Sequence, residues 1–149
     1  MKPRRRFPSL IALFLTLVLI QLVPVRRTNP PIETEIATPG HIKAILRKAC
    51  YDCHSNTTRW PWYSSIAPVS WLVAGDVTRG REELNFTTWN RYTPKKQASL
   101  RKDVWKQVEE GHMTPRLYRL MHPEARLAHA EKEVLRWTAL TLLFSHLYF

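Results

Sequence analysis

The sequence predicts a small, loop-rich, all-α protein. Apolar residues recur at helical spacing in several separate segments, and no segment alternates apolar with polar residues as a half-buried strand would. Between those segments prolines outnumber glycines, 11 to 4, and break the chain into helices joined by stiff loops. With 149 residues there is room for one domain.

The first element is an uncharged apolar run, Phe7 to Val25, with Lys2, Arg4, Arg5 and Arg6 before it and Arg26 and Arg27 after it. As a helix this run would be about 28 Å long, close to the hydrocarbon thickness of a bilayer. It lacks the small-residue pattern of a signal-peptide cleavage site, so residues 1–27 read as a signal anchor. The heavier basic flank keeps the N-terminus in the cytoplasm and exports the rest. The expected location is therefore a bacterial inner membrane, crossed once, with the C-terminal domain in the periplasm. Residues 28–40, with three prolines and no helical period, read as an extended linker. The folded domain is expected over 41–149.

Within that domain Ile42, Ile45, Leu46 and Ala49 mark an amphipathic helix running into Cys50. An aromatic loop from Arg59 follows, then a helix from about Pro68 to Arg79. Thr93 and Pro94 are an N-cap and a first helical position, and Leu100, Val104 and Val108 define one face up to a stop at Gly111. A last helix is expected from Ala128 to Phe144, with Val134, Leu135, Trp137, Thr138 and Leu142 inward. The six tryptophans lie mostly in loops or on helix faces, where a large flat ligand would cover them.

Residues 28–149 carry 17 basic and 12 acidic side chains. A net charge of +5 suits an acidic protein partner but falls short of the dense basic stripe of a nucleic-acid binder.

Both cysteines fall in Cys50-Tyr51-Asp52-Cys53-His54, the Cys-x-x-Cys-His arrangement of c-type haem attachment. On one helical turn, positions i, i+3 and i+4 share a face, so both sulfurs can reach haem vinyl groups while His54 lies under the iron. Three readings compete. A thiol-redox site wants a βαβ scaffold, a disulfide between i and i+3 closes too short a loop to stabilise much, and zinc needs a fourth ligand in a second tight pair. For a sixth iron ligand the chain offers Met113, between Gly111 and Pro115, with His112 and His122 as competitors. Arg59, Arg79 and Arg81 are candidates for pairing haem propionates, and Trp60, Trp62, Tyr63 and Trp71 for walling the ring. Lys95, Lys96, Arg101 and Lys102 are candidates for a basic docking rim. Asn56 and Asn85 each open a glycosylation sequon, discounted for a bacterial chain.

These residues resemble the haem-binding domain found in bacterial exported proteins. The likeness runs through Cys50 to Asn56, Trp60 to Ser64, Ile66 to Val73, Gly80-Arg81, Leu84 to Phe86 with Trp89, Glu110 to Met113, Tyr118 and His122 to Ala125. It implies a cytochrome-c-like helical fold around covalent haem, held by Cys50 and Cys53, with His54 and Met113 as axial ligands. Family members often carry Pro-Pro or Leu-Pro after the methionine and a histidine near 75–76, where this chain has Thr114-Pro115 and Gly75-Asp76. Ala128 stands where a helix-capping Ser or Thr would be expected. The expected function is single-electron transfer to a redox partner, with a haem-based sensor or a peroxidase-like enzyme as alternatives; no distal acid–base pair is evident for the latter.

Overall fold

The structure is a computed structural model that describes residues 7–141. Among these residues every regular element is a helix, with a single isolated bridge between Thr34 and Thr88 and no strand. The helices are α1 (Phe7–Leu19), α2 (Gly40–Ala49), α3 (Tyr51–His54), α4 (Val69–Glu83), α5 (Pro94–Glu109), α6 (Arg116–Met121) and α7 (His129–Thr141). Short 3₁₀ turns at 20–22, 62–65, 89–91 and 123–125 join them.

The apolar N-terminal run differs from expectation. Its helix ends at Leu19, tightens into a 3₁₀ turn and becomes extended at Val23, whose ψ of 114° suits the residue before Pro24. Among the described residues no helix is long and apolar enough to cross a membrane. Gln21 supplies a second reason for the break. Its side chain leaves the helix to bond the Ala67 peptide, donating to the carbonyl at 3.1 Å and accepting from the N–H at 2.9 Å. From Ser9 to Leu19 the side chains of α1 are exposed all round, with Leu10 at 64% and Phe14 at 66%.

Residues 28–39 are extended, and they are packed rather than free. Ile36 is buried in the core, and its N–H donates to Phe86 O at 2.8 Å while Trp89 N–H donates to Thr34 O at 2.9 Å. Glu35 collects Lys43, Arg47 and the Tyr51 hydroxyl. Burial alone would raise its carboxyl, but those three donors hold it below the usual range. The folded body thus begins ahead of His41.

The core forms where α2, α5 and α7 meet the 84–92 segment. Ile42, Ile45, Leu46, Leu100, Val108 and Leu135 surround an aromatic run in which Tyr51 stacks on Phe86 at 5.3 Å and Phe86 lies 6.4 Å from Trp89. α4 continues to Glu83, beyond the expected stop at Arg79, and closes with Leu84 N–H donating to Gly80 O at 3.0 Å. α5 begins as expected, with Thr93 Oγ1 accepting from Lys96 N–H at 3.3 Å. At Ala128 the missing hydroxyl cap is partly replaced, because Glu131 reaches back to accept the Ala128 N–H at 2.8 Å. Leu142, Phe144 and the basic residues Lys2, Arg4, Arg5 and Arg6 lie outside the described residues.

Candidate functional site

Cys50 is the pivot between α2 and α3. Its N–H closes α2 on Leu46 O at 2.8 Å, while its own carbonyl accepts from Cys53 N–H at 3.1 Å and His54 N–H at 2.9 Å. The pentapeptide is therefore one hydrogen-bonded turn, which brings both sulfurs and the imidazole to the same cavity wall.

Neighbouring elements fix this turn. His54 Nδ1 lies 2.8 Å from Gly80 O and 3.1 Å from Leu84 O, so it is the protonated nitrogen and Nε2 carries the free lone pair. Burial pushes the imidazole pKa down against those two carbonyls, which keeps the ring neutral, as a metal ligand must be. A side chain at Gly80 would place its Cβ 2.6 Å from Cys53 O, so only glycine lets α4 approach this closely. Asp52 accepts from Arg59 N–H at 3.0 Å, Arg59 Nε at 3.2 Å, Arg59 Nη2 at 3.0 Å and the Tyr118 hydroxyl at 2.7 Å. Burial would raise its carboxyl, and these donors overcome that and hold it low.

The cavity has a volume of about 530 Å³, within the range of sites that enclose a large organic ligand. Cys50, Cys53 and His54 line it together with Leu84 and Phe86, and α5 supplies Leu100, Val104 and Val108. Met113 lines it too. That methionine follows Gly111, whose φ of +74° reverses the chain after α5, and the N–H groups of His112 and Met113 both donate to Gln107 O at 3.0 Å. Met113 is 36% exposed.

The donor set fits haem: an imidazole nitrogen with its tautomer fixed, a thioether, and two unpaired thiols on one apolar wall. It does not suit thiol redox chemistry. Burial pushes the Cys50 thiol up to about 12 and the Cys53 thiol up to about 11, so neither is a ready thiolate. Among the described residues no cluster of three or more His, Cys, Asp or Glu is arranged to hold another metal ion.

Four expected site residues stand elsewhere. Arg59 is committed to Asp52, and Arg81 braces the chain by donating to Ser55 O, Thr28 O, Asn29 Oδ1 and Thr58 Oγ1. Trp60 donates to Asn29 Oδ1, and Trp62 is 73% exposed. None of the four lines the cavity, nor does any other tryptophan; Phe86 and Tyr118 are its aromatic residues, and Asp76, Glu83 and Asp103 stand among its polar ones. Of the expected arginines only Arg79 reaches the cavity, joined by Lys106, which the sequence pattern did not single out. His112 and His122 do not line it; His122 is held by the Tyr63 hydroxyl at 2.7 Å and Glu124 at 3.0 Å. Arg101 is drawn off the basic rim to lie over the Trp89 ring at 5.3 Å.

The two sequon asparagines have a structural use. Asn85 Nδ2 donates to Asn56 Oδ1 at 2.8 Å, and both are buried, which ties the loop after α3 to the loop after α4.

No curated protein and no solved structure matches the chain. The profile of the haem-binding domain family matches residues 15–139, which takes in the cavity, both of its cysteines, His54 and Met113. The chain thus belongs to the haem-binding domain family.

Proposed function

We propose that the protein is a membrane-anchored, exported monohaem c-type cytochrome that carries single electrons. One observation carries the reading: Cys50, Cys53, His54 and Met113, drawn from two distant parts of the chain, line a single apolar cavity. Cys50 and Cys53 would hold haem through thioether bonds to its two vinyl groups. His54 Nε2 and the Met113 sulfur would ligate its iron. Haem bound there supplies a one-electron Fe(III)/Fe(II) couple, and methionine ligation favours a higher potential than two histidines would. The chain does the rest. Leu100, Val104 and Val108 line the cavity with apolar side chains that would exclude water, and the carbonyls of Gly80 and Leu84 orient His54. Arg79, which is paired with Asp76, and Lys106 are the cations at the cavity that propionates would meet. Lys95, Lys96 and Lys102 are exposed on α5, and we assign them to an acidic redox partner.

Anchoring is supported by α1, which is apolar on every face and exposed on every face. Its 13 residues and the following turn are shorter than a full bilayer core, and Arg26 and Arg27 just beyond them can reach up to the headgroups. The heavier basic flank before the apolar run supports an N-terminus in the cytoplasm and a haem domain in a bacterial periplasm.

The test is to produce the full chain in a host with c-type haem maturation and record oxidised, reduced and carbon-monoxide-treated spectra. Haem that survives denaturation, with a sulfur-to-iron charge-transfer band when oxidised and no carbon monoxide shift when reduced, is the expected result. Covalent haem that takes up carbon monoxide would replace the carrier with a sensor or an enzyme. Failure to retain haem through denaturation would overturn c-type attachment.

A further inference from the structure

We propose that Trp62, Ile66, Val69 and Leu72 form a lipid-facing foot on which the haem domain rests against the same bilayer that its N-terminal helix enters. This rests on the anchoring reading above and adds an orientation to it.

The joint at Gln21 carries the inference. The Gln21 side chain donates to Leu17 O in α1 at 2.9 Å and to Ala67 O at 3.1 Å, and accepts from Ala67 N–H at 2.9 Å. The loop at Ala67 is therefore one glutamine side chain away from an apolar helix that has no polar face. If α1 is in lipid, this loop is at the lipid surface. The residues around it are suited to that position. Ile66 is 46% exposed, Val69 39% and Leu72 61%, and Val69 and Leu72 stand three apart at the start of α4, on one helix face. Trp62, in the turn just before, is 73% exposed, a position for which the headgroup region is the favoured environment of an indole. The charges agree with a bilayer as the occupant. Arg27 donates to Ser65 Oγ within the same turn, and Arg26 and Arg27 are both exposed where they can meet anionic phosphate groups. A free apolar patch on an ordinary soluble face would have neither the helix fastened beside it nor this basic edge.

Such a foot limits rotation of the domain about its tether, so the haem cavity keeps one attitude to the membrane instead of sampling all of them.

The test uses the full haem-loaded chain in vesicles of phosphatidylcholine and phosphatidylglycerol, with photoreactive benzoylphenylalanine in place of Trp62, Leu72 or, as a control on α5, Lys102. All three side chains are exposed, so the substitutions leave the core alone. Flotation reports anchoring and the mass of the photoproducts reports the occupant. Lipid adducts at 62 and 72 and none at 102 are expected. Flotation without lipid adducts at 62 and 72 would overturn the foot while leaving the anchor in place. Adducts to a second copy of the chain would make this face a self-association surface and overturn the lipid assignment. Failure to float would remove the anchor and the foot together.

Discussion

The two walls of the cavity are built to different standards. On one side His54 is fixed by two carbonyls, Asp52 by four donors, and Gly80 lets α4 press directly onto Cys53. On the other, Met113 is over a third exposed and depends on a glycine-reversed loop whose backbone shares one acceptor, Gln107 O. The contrast teaches that the Cys50–His54 turn is fixed by contacts from several elements, whereas the Met113 loop is closed by its own backbone. Preorganisation belongs where covalent chemistry needs sulfur and nitrogen in register, and looseness is tolerable where a single thioether only has to reach the iron.

The largest break in this comparison is on the proximal side. Replacing Cys50 and Cys53 together with Ala should abolish haem retention after denaturation, read by haem staining of denaturing gels; retention would show that the thiols are not the attachment points. Met113→Ala should leave covalent haem intact while removing the sulfur-to-iron band and raising carbon monoxide affinity about tenfold or more, a loss of roughly 1.4 kcal/mol of ligand competition. An unchanged spectrum would move the distal role to another side chain.

Smaller effects sharpen the same contrast. Gly80→Ala should cost about 1–3 kcal/mol despite alanine's better helix propensity, because the backbone oxygen of Cys53 cannot rotate out of the way, and denaturant midpoints would measure it. Asp52→Asn should cost about 1–2 kcal/mol near neutral pH through weakened bonds to Arg59 and Tyr118. Asp52 is held below its ordinary value of 3.8, so its contribution is present above that pH and fades as pH falls through the lower folded value. The gap between wild type and variant should therefore close in acid; a gap independent of pH would mean that packing, not charge, is responsible. Ala128→Ser should add about 0.5–1 kcal/mol by completing a cap that Glu131 only half supplies, measured as a higher thermal midpoint.

Much of the proximal wall was legible in the sequence and little of the rest was. The Cys50–His54 spacing translates directly into one turn, because i to i+3 and i+4 hydrogen bonds act within five residues. The Thr93 cap and the α5 face were legible for the same reason. Met113 was legible as a candidate only through its residue type and loop setting. The tryptophans misled, since hydrophobic size does not say which surface a side chain covers: Trp89 went to the core, and Trp62 stands at the foot we assign to lipid. The extended run 28–39 misled in another way, because its prolines predict shape correctly but not the packing of Ile36.

By itself, then, the sequence determined the helical class, the Cys50–His54 turn and the apolar N-terminal segment, all of which follow from residue spacing over a few positions or from unbroken composition. Only the tertiary structure decided that Met113 and neither His112 nor His122 faces the cavity, that Arg79 and Lys106 replace Arg59 and Arg81 at its edge, and that Asn56 meets Asn85. Those pairings join residues dozens of positions apart. They depend on how α4 and α5 pack against the Cys50–His54 turn, and close packing, unlike helical periodicity, is a property of the whole chain.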